Sequence, residues 1–171
     1  MSPQGDYLSD REWSDSYIEQ IKAIVGPYVL EPSPFEIDTK NAADLMVLQN
    51  KSVKVACRLR RPGYERFYGE FTIRSNRASG VKTELAKIVD GWGDWLFYGH
   101  IRDENELIHP WYLLDLHVFR AALIRQHASI ISKTLSNTDG VTCFKAYRID
   151  SFPSEIVIAS SVKLEQGALA L

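Results

Sequence analysis

The sequence predicts a mixed α/β or α+β fold, with one mixed central sheet flanked by helices. Two observations carry this. Stretches with apolar residues at helical spacing alternate along the chain with short runs of strand character, in the order helix, strands, helix, strand, helix. The length of 171 residues, with 45% hydrophobic and 25% charged, suits one well-packed globular domain, and the sequence shows no internal repeat or linker.

The elements follow in order. In SDSYIEQIKAIVGPY (14–28), Tyr17, Ile18, Ile21, Ile24 and Val25 recur at helical spacing, with Ser14 or Ser16 as caps and Gly26-Pro27 as the stop. EPSP (31–34) breaks the chain, and FEID reads as a short strand leading into the turn of TKNAA. DLMVL (44–48) reads as a strand whose neighbour is VKVACRLRR (53–61), where Val53, Val55, Cys57 and Leu59 alternate with Lys54, Ala56, Arg58 and Arg60. Pro62-Gly63 marks a turn, and RFYGEFTIRS completes a hairpin. SGVKTELAKIVDG (79–91) predicts a helix with Ser79 as cap and Gly91 as stop. WLFYGHI (95–101) reads as a buried strand followed by surface residues, and an amphipathic helix is expected from Trp111 to Thr134. CFKAYRI and SEIVIAS read as two late strands or a strand and a loop, before a frayed tail.

Charge is unevenly distributed. Residues 51–87 hold ten basic and three acidic side chains, a net +7 that leaves −9 on the rest of a chain whose total is −2. Such asymmetry points to an anionic partner for one face and an acidic surface elsewhere, although basic residues also protect strand edges. No apolar run approaches the roughly 20 residues needed to cross a bilayer, and the N-terminus lacks signal-peptide character, so a cytoplasmic protein without membrane contact is expected. Cys57 and Cys143 show no zinc spacing and read as buried, reduced thiols. His100, His109, His117 and His127 show no HxH or HExxH spacing. No glycine-rich phosphate loop appears, which ranks an enzyme of small phosphorylated substrates last.

If the strands pair as a hairpin, Arg58 and Arg60 share a sheet face with Glu70, Thr72 and Arg74, and Asp44 lies close to it. Carboxylates beside cations can hold Mg²⁺ and a phosphodiester, the metal activating water while a cation steadies the developing charge. Over residues 14–101 this order of elements resembles the PD-(D/E)XK nuclease superfamily. The resemblance implies a restriction-endonuclease-like core, followed by a C-terminal helix and late strands over 102–171. In that family an Asp near a strand start precedes an acid-x-Lys triplet, often with a Glu on the first helix. Asp44 in AADL matches the Asp and Glu19 the helical carboxylate. The triplet is replaced by Arg58-Leu59-Arg60, or by Thr72-Ile73-Arg74 with Glu70 two residues earlier. Arginine suits phosphate binding better than general-base work. TELAKIVDGWGDW followed by LFYGH is similar in character to phage or mobile-element proteins.

The resemblance therefore implies a nucleic-acid-binding protein, DNA before RNA, with a diverged Mg²⁺-dependent nuclease site as its catalytic form. Asp44, Glu70 and Glu19 are the metal-ligand candidates, with Arg58 and Arg74 beside the reacting phosphate. Arg58, Arg60, Arg61 and Arg66, together with Arg74, Arg77, Lys82 and Lys87, are the phosphate-binding candidates. A homodimer fits the same expectation, and a phage-type inhibitor or accessory protein gripping a protein partner is the alternative. Each residue also has a plainer role: Asp44 as a cap, Glu70 in a cross-strand pair with Arg58 or Arg60, and Glu84 with Lys87 as an exposed helical pair. Trp92 and Trp95 suit either the core or base stacking, as Tyr64, Phe67 and Tyr68 suit either a hairpin or stacking.

Overall fold

The computed structural model describes residues 3–32, 45–47, 52–76, 81–103, 106–137 and 141–162. The chain divides into two compact units, residues 1–53 and 54–171. The fold is α+β, with mixed and antiparallel sheets accompanied by helices.

In the first unit, α1 (Pro3–Asp15) is followed by α2 (Ile18–Val29). Ser14 and Ser16 do not cap α2; their hydroxyls donate back to the carbonyls of Arg11 and Trp13 and close the end of α1. The apolar stripe read from the sequence is buried at Tyr17, Ile21 and Val25. Gly26-Pro27 does not stop the helix, which runs on to Val29. Pro27 falls in the last turn, where the missing N–H forfeits only one ladder bond. β1 (Leu30–Pro32) pairs antiparallel with β2 (Leu45–Val47), so DLMVL has its partner behind it and not in VKVACRLRR. The expected FEID strand and the TKNAA turn lie outside the described residues.

The second unit contains two sheets. The first has the order β3 (Val55–Arg60), β5 (Trp95–His100), β6 (Trp111–Asp115), β9 (Val157–Ser160); β3 and β5 are parallel and the other pairs antiparallel. The second has the order β4 (Glu70–Asn76), β8 (Cys143–Arg148), β7 (Ser132–Ser136) and is antiparallel throughout. The expected β3–β4 hairpin is therefore absent. The connection 61–69 is longer than the two to five residues that tie neighbouring antiparallel strands, and it contains a 3₁₀ turn at Glu65–Phe67. Each strand finds its partner far along the chain.

α3 (Glu84–Val89) is capped by Thr83, whose hydroxyl accepts from the Ala86 N–H at 3.2 Å; Ser79, the cap expected from the sequence, lies outside the described residues. The end of α3 matches the predicted stop. Gly91 takes φ +95°, its N–H reaches the Ile88 carbonyl, and the Trp92 N–H reaches that of Lys87, the paired bonds of a Schellman motif. The long helix expected over 111–134 is broken into β6, α4 (Leu116–Arg125) and β7. Asp115 makes the break, accepting from the N–H groups of His117 and Val118 as the cap of α4. Both late strands form, as β8 and β9.

One hydrophobic core joins the two sheets and both helices of this unit. Phe71 and Ile73 from β4 meet Leu96 and Tyr98 from β5, Leu114 from β6, Tyr147 from β8, Ile88 from α3 and Phe119 from α4. The rings of Phe71, Phe119, Tyr147 and Phe152 pack at centroid distances of 5.3–6.0 Å. Cys57 is exposed and Cys143 half-buried, against the expectation of two buried thiols, and Trp92 is exposed.

Candidate nucleic-acid interface

β3 alternates as the sequence suggests, but with its faces reversed. Ala56 packs on the core while Cys57 faces out, so the parity of Ala56, Arg58 and Arg60 points inward, toward the second sheet. Arginines can occupy that side because Arg58 meets a carboxylate and Arg60 meets hydroxyl acceptors and aromatic faces.

Arg58 is paired with Glu84 of α3: its Nη2 donates to Oε2 at 2.5 Å, with each side chain 25% exposed. The same oxygen accepts the Arg74 main-chain N–H at 3.1 Å, so Glu84 ties β3, β4 and α3 together. Burial draws the Arg58 pKa down while Glu84 opposes it; an arginine nonetheless stays charged. Arg60 donates from Nε to the Tyr98 hydroxyl at 2.6 Å and from Nη2 to the Thr72 hydroxyl. Since arginine has no acceptor, the Tyr98 and Thr72 oxygens both accept, and one of the two hydroxyl protons bridges the 3.3 Å between them. β3, β4 and β5 thus share one polar ring between the two sheets.

Above this ring lies a cleft of about 160 Å³. Arg60, Thr72, Tyr98 and Ala146 line it with Tyr64, Phe67 and Phe144, while Arg66, Glu70 and Leu135 complete the wall. The Arg60 guanidinium carbon is 5.3 Å from the Tyr64 ring centroid, 5.8 Å from that of Tyr98 and 5.7 Å from that of Phe144. Arg66 is exposed, with its guanidinium carbon 4.8 Å from the Phe67 ring centroid. Glu70 pairs with Lys133 of β7 at 3.0 Å, not with Arg58 or Arg60.

The remaining candidates are spread out. Glu19 belongs to the first unit, where it pairs with Lys22 on the surface of α2. Asp44 and Arg77 lie outside the described residues. Arg61 is half-buried; Lys82 pairs with Asp90 at 2.6 Å; Lys87 is exposed in the last turn of α3. Glu84 meets Arg58 and not Lys87, so the expected exposed helical pair is replaced by a half-buried tertiary one. Among the described residues no three His, Cys, Asp or Glu side chains are grouped to hold a metal ion. Glu70 is a single carboxylate already engaged by Lys133, and the described residues alone do not fit a Mg²⁺ site.

Beyond the cleft, His100 is 2% exposed and neither ring nitrogen has a hydrogen-bond partner, nor does the buried Tyr68 hydroxyl. Burial, reinforced by Arg60 and opposed by Glu65, pushes the His100 pKa down to about 4. On the surface, His117 Nδ1 accepts from Arg120 at 2.9 Å, which fixes the proton on Nε2, 3.3 Å from Asp94. The Lys54 main-chain N–H, which donates to Asp94 at 2.8 Å, holds that carboxyl below its usual pKa, aided by His117.

Glu84, Tyr98, Lys133 and Phe144 were not among the residues picked out as site candidates. Tyr98 carried a signal, since a tyrosine inside an apolar run must find a partner for its hydroxyl. Lys133 and Phe144 carried none, because only the pairing of β7 and β8 beside β4 brings them to Glu70 and Arg60. No protein-family model, curated protein or solved structure matches the chain.

Proposed function

We propose that this protein binds nucleic acid, DNA before RNA, at the cleft where Arg60 and Arg66 stand among Tyr64, Phe67 and Phe144. The single observation that carries this is the convergence of two guanidinium groups and exposed or half-buried rings on one concave site. Guanidinium groups neutralise phosphates and stack, and aromatic faces stack on bases. Arg58 is engaged by Glu84 and Lys82 by Asp90; of the described basic residues expected to bind phosphate, Arg60 and Arg66 line the cleft, and Lys87 is an exposed outlying contact.

Binding to labelled DNA and RNA over a series of salt concentrations is the test. Affinity is expected to fall with salt at a log–log slope of about −2, as two or three neutralised phosphates release their counterions, and Arg66→Ala is expected to weaken binding and flatten the slope by about one. A flat salt response overturns the proposal; a stoichiometric protein complex without nucleic-acid binding would favour an inhibitor or accessory protein.

Metal-dependent cleavage on a restriction-endonuclease-like core would require Asp44 to join Glu70. The same reactions run with Mg²⁺, Mn²⁺ or EDTA address it. Cutting that needs metal and is lost in Asp44→Ala would establish a nuclease, and binding without cutting a diverged, non-cleaving relative.

A further inference from the structure

We propose that the cleft accepts one unpaired base, so that the ligand class is single-stranded DNA. This rests on the nucleic-acid reading above and specifies its substrate. At about 160 Å³ the cleft lies below the roughly 300–1,000 Å³ of ordinary small-molecule sites, room for a single planar ring and not for a base pair. Its walls are aromatic, and its floor carries a guanidinium held in place by Tyr98 and Thr72. Unpaired bases are recognised by stacking on such rings and on guanidinium planes. Among the described residues two of the five Arg60 donors are used, and the others can serve the acceptors of a base.

Base and phosphate would meet different groups. The Glu70 carboxylate in the cleft wall is paired through Oε1 with Lys133, and its other oxygen can accept from the N–H groups of a base. Arg66, exposed beside Phe67, is placed for the phosphate outside. Tyr64 is 43% exposed and its ring already lies 5.3 Å from Arg60, so it presents a guanidinium-backed face at the cleft on which a base can stack.

The experiment compares a 15-nucleotide single strand with its duplex, by fluorescence anisotropy at fixed salt, for the full chain and for Tyr64→Ala. The single strand is expected to bind at least tenfold more tightly than the duplex. Removing the exposed Tyr64 ring should cost single-strand binding between about fivefold and about a hundredfold, as the loss of one stacking platform does, and so erode the preference over the duplex. Tyr64→Trp supplies a second readout, since its fluorescence should be quenched on adding the single strand and not the duplex. Equal binding of strand and duplex would overturn the unpaired-base proposal while leaving nucleic-acid binding in place. A single-strand preference that survives Tyr64→Ala, with no quenching in Tyr64→Trp, would place the site elsewhere and overturn it too. Binding to neither would overturn both.

Discussion

Glu84 is one acid holding two donors, the Arg58 guanidinium and the Arg74 main-chain N–H, at a place where water reaches only a quarter of either charged side chain. Exposed ion pairs contribute about 0–1 kcal/mol, whereas removing one partner of a buried pair costs about 3–5 kcal/mol. The half-buried Glu84→Ala should therefore cost about 2 kcal/mol, lowering the melting temperature by roughly 4–8 °C for a chain of this size. Lys87→Ala, one helical turn away and exposed, should stay within about 0.5 kcal/mol. Equal effects of the two in thermal denaturation would mean that Glu84 sits on the surface as the i, i+3 spacing suggests. This residue also shows why half of the site was legible. The alternation in VACRLR correctly set Arg58 and Arg60 on one face, but alternation is symmetric between faces. The side that turns inward was decided by Glu84, Thr72 and Tyr98, which lie 12 to 38 residues away.

At the scale of elements, local chemistry was legible where it was closed within a few residues. The Gly91 stop of α3 is a Schellman motif complete within six residues, and it stands where the sequence places it. The stretch 111–134 shows the opposite case. WYLLD is apolar enough to continue the helical stripe of LHVFRAALIR, yet it pairs with β5 on one side and β9 on the other, and sheet partners override a periodicity that short apolar runs cannot resolve. Asp115 marks the junction. Because its carboxylate accepts from two otherwise orphaned N–H groups, Asp115→Ala should destabilise the protein by about 0.5–2 kcal/mol, and Asp115→Asn by less, as measured by urea denaturation. If Asn costs as much as Ala, the carboxylate acts by charge and not as a cap. The β3–β4 hairpin failed for a related reason: a Pro-Gly turn marks where the chain bends and does not say which strand it bends toward, and both strands gained more by pairing with β5 and β8.

For the molecule as a whole, polar groups are concentrated where the two sheets of the second unit meet, and stability should follow their protonation. The Arg60–Thr72–Tyr98 ring is hydrogen-bonded within itself, whereas His100, beside Tyr98 at a ring-centroid distance of 5.6 Å and Tyr68 at 4.8 Å, is buried without a partner. It is tolerated only as the neutral imidazole, which is why its pKa falls from the usual 6.5 to about 4. Between those values the unfolded chain takes up a proton that the folded chain refuses. The contribution of His100 to stability is therefore complete above pH 6.5, declines as the pH drops, and levels off once the folded form also protonates near pH 4, a loss of about 3 kcal/mol in all. Asp94, whose carboxyl is held below its usual 3.8, acts in the same direction but at lower pH. Urea midpoints measured at pH 7.5, 5.5 and 4.5 should fall steadily in the wild type. His100→Phe keeps a ring in the site and removes the titration, so its midpoints should fall less over that interval; parallel curves for the two proteins would show that His100 is hydrated or paired in solution and that the junction between the sheets is not closed to protons.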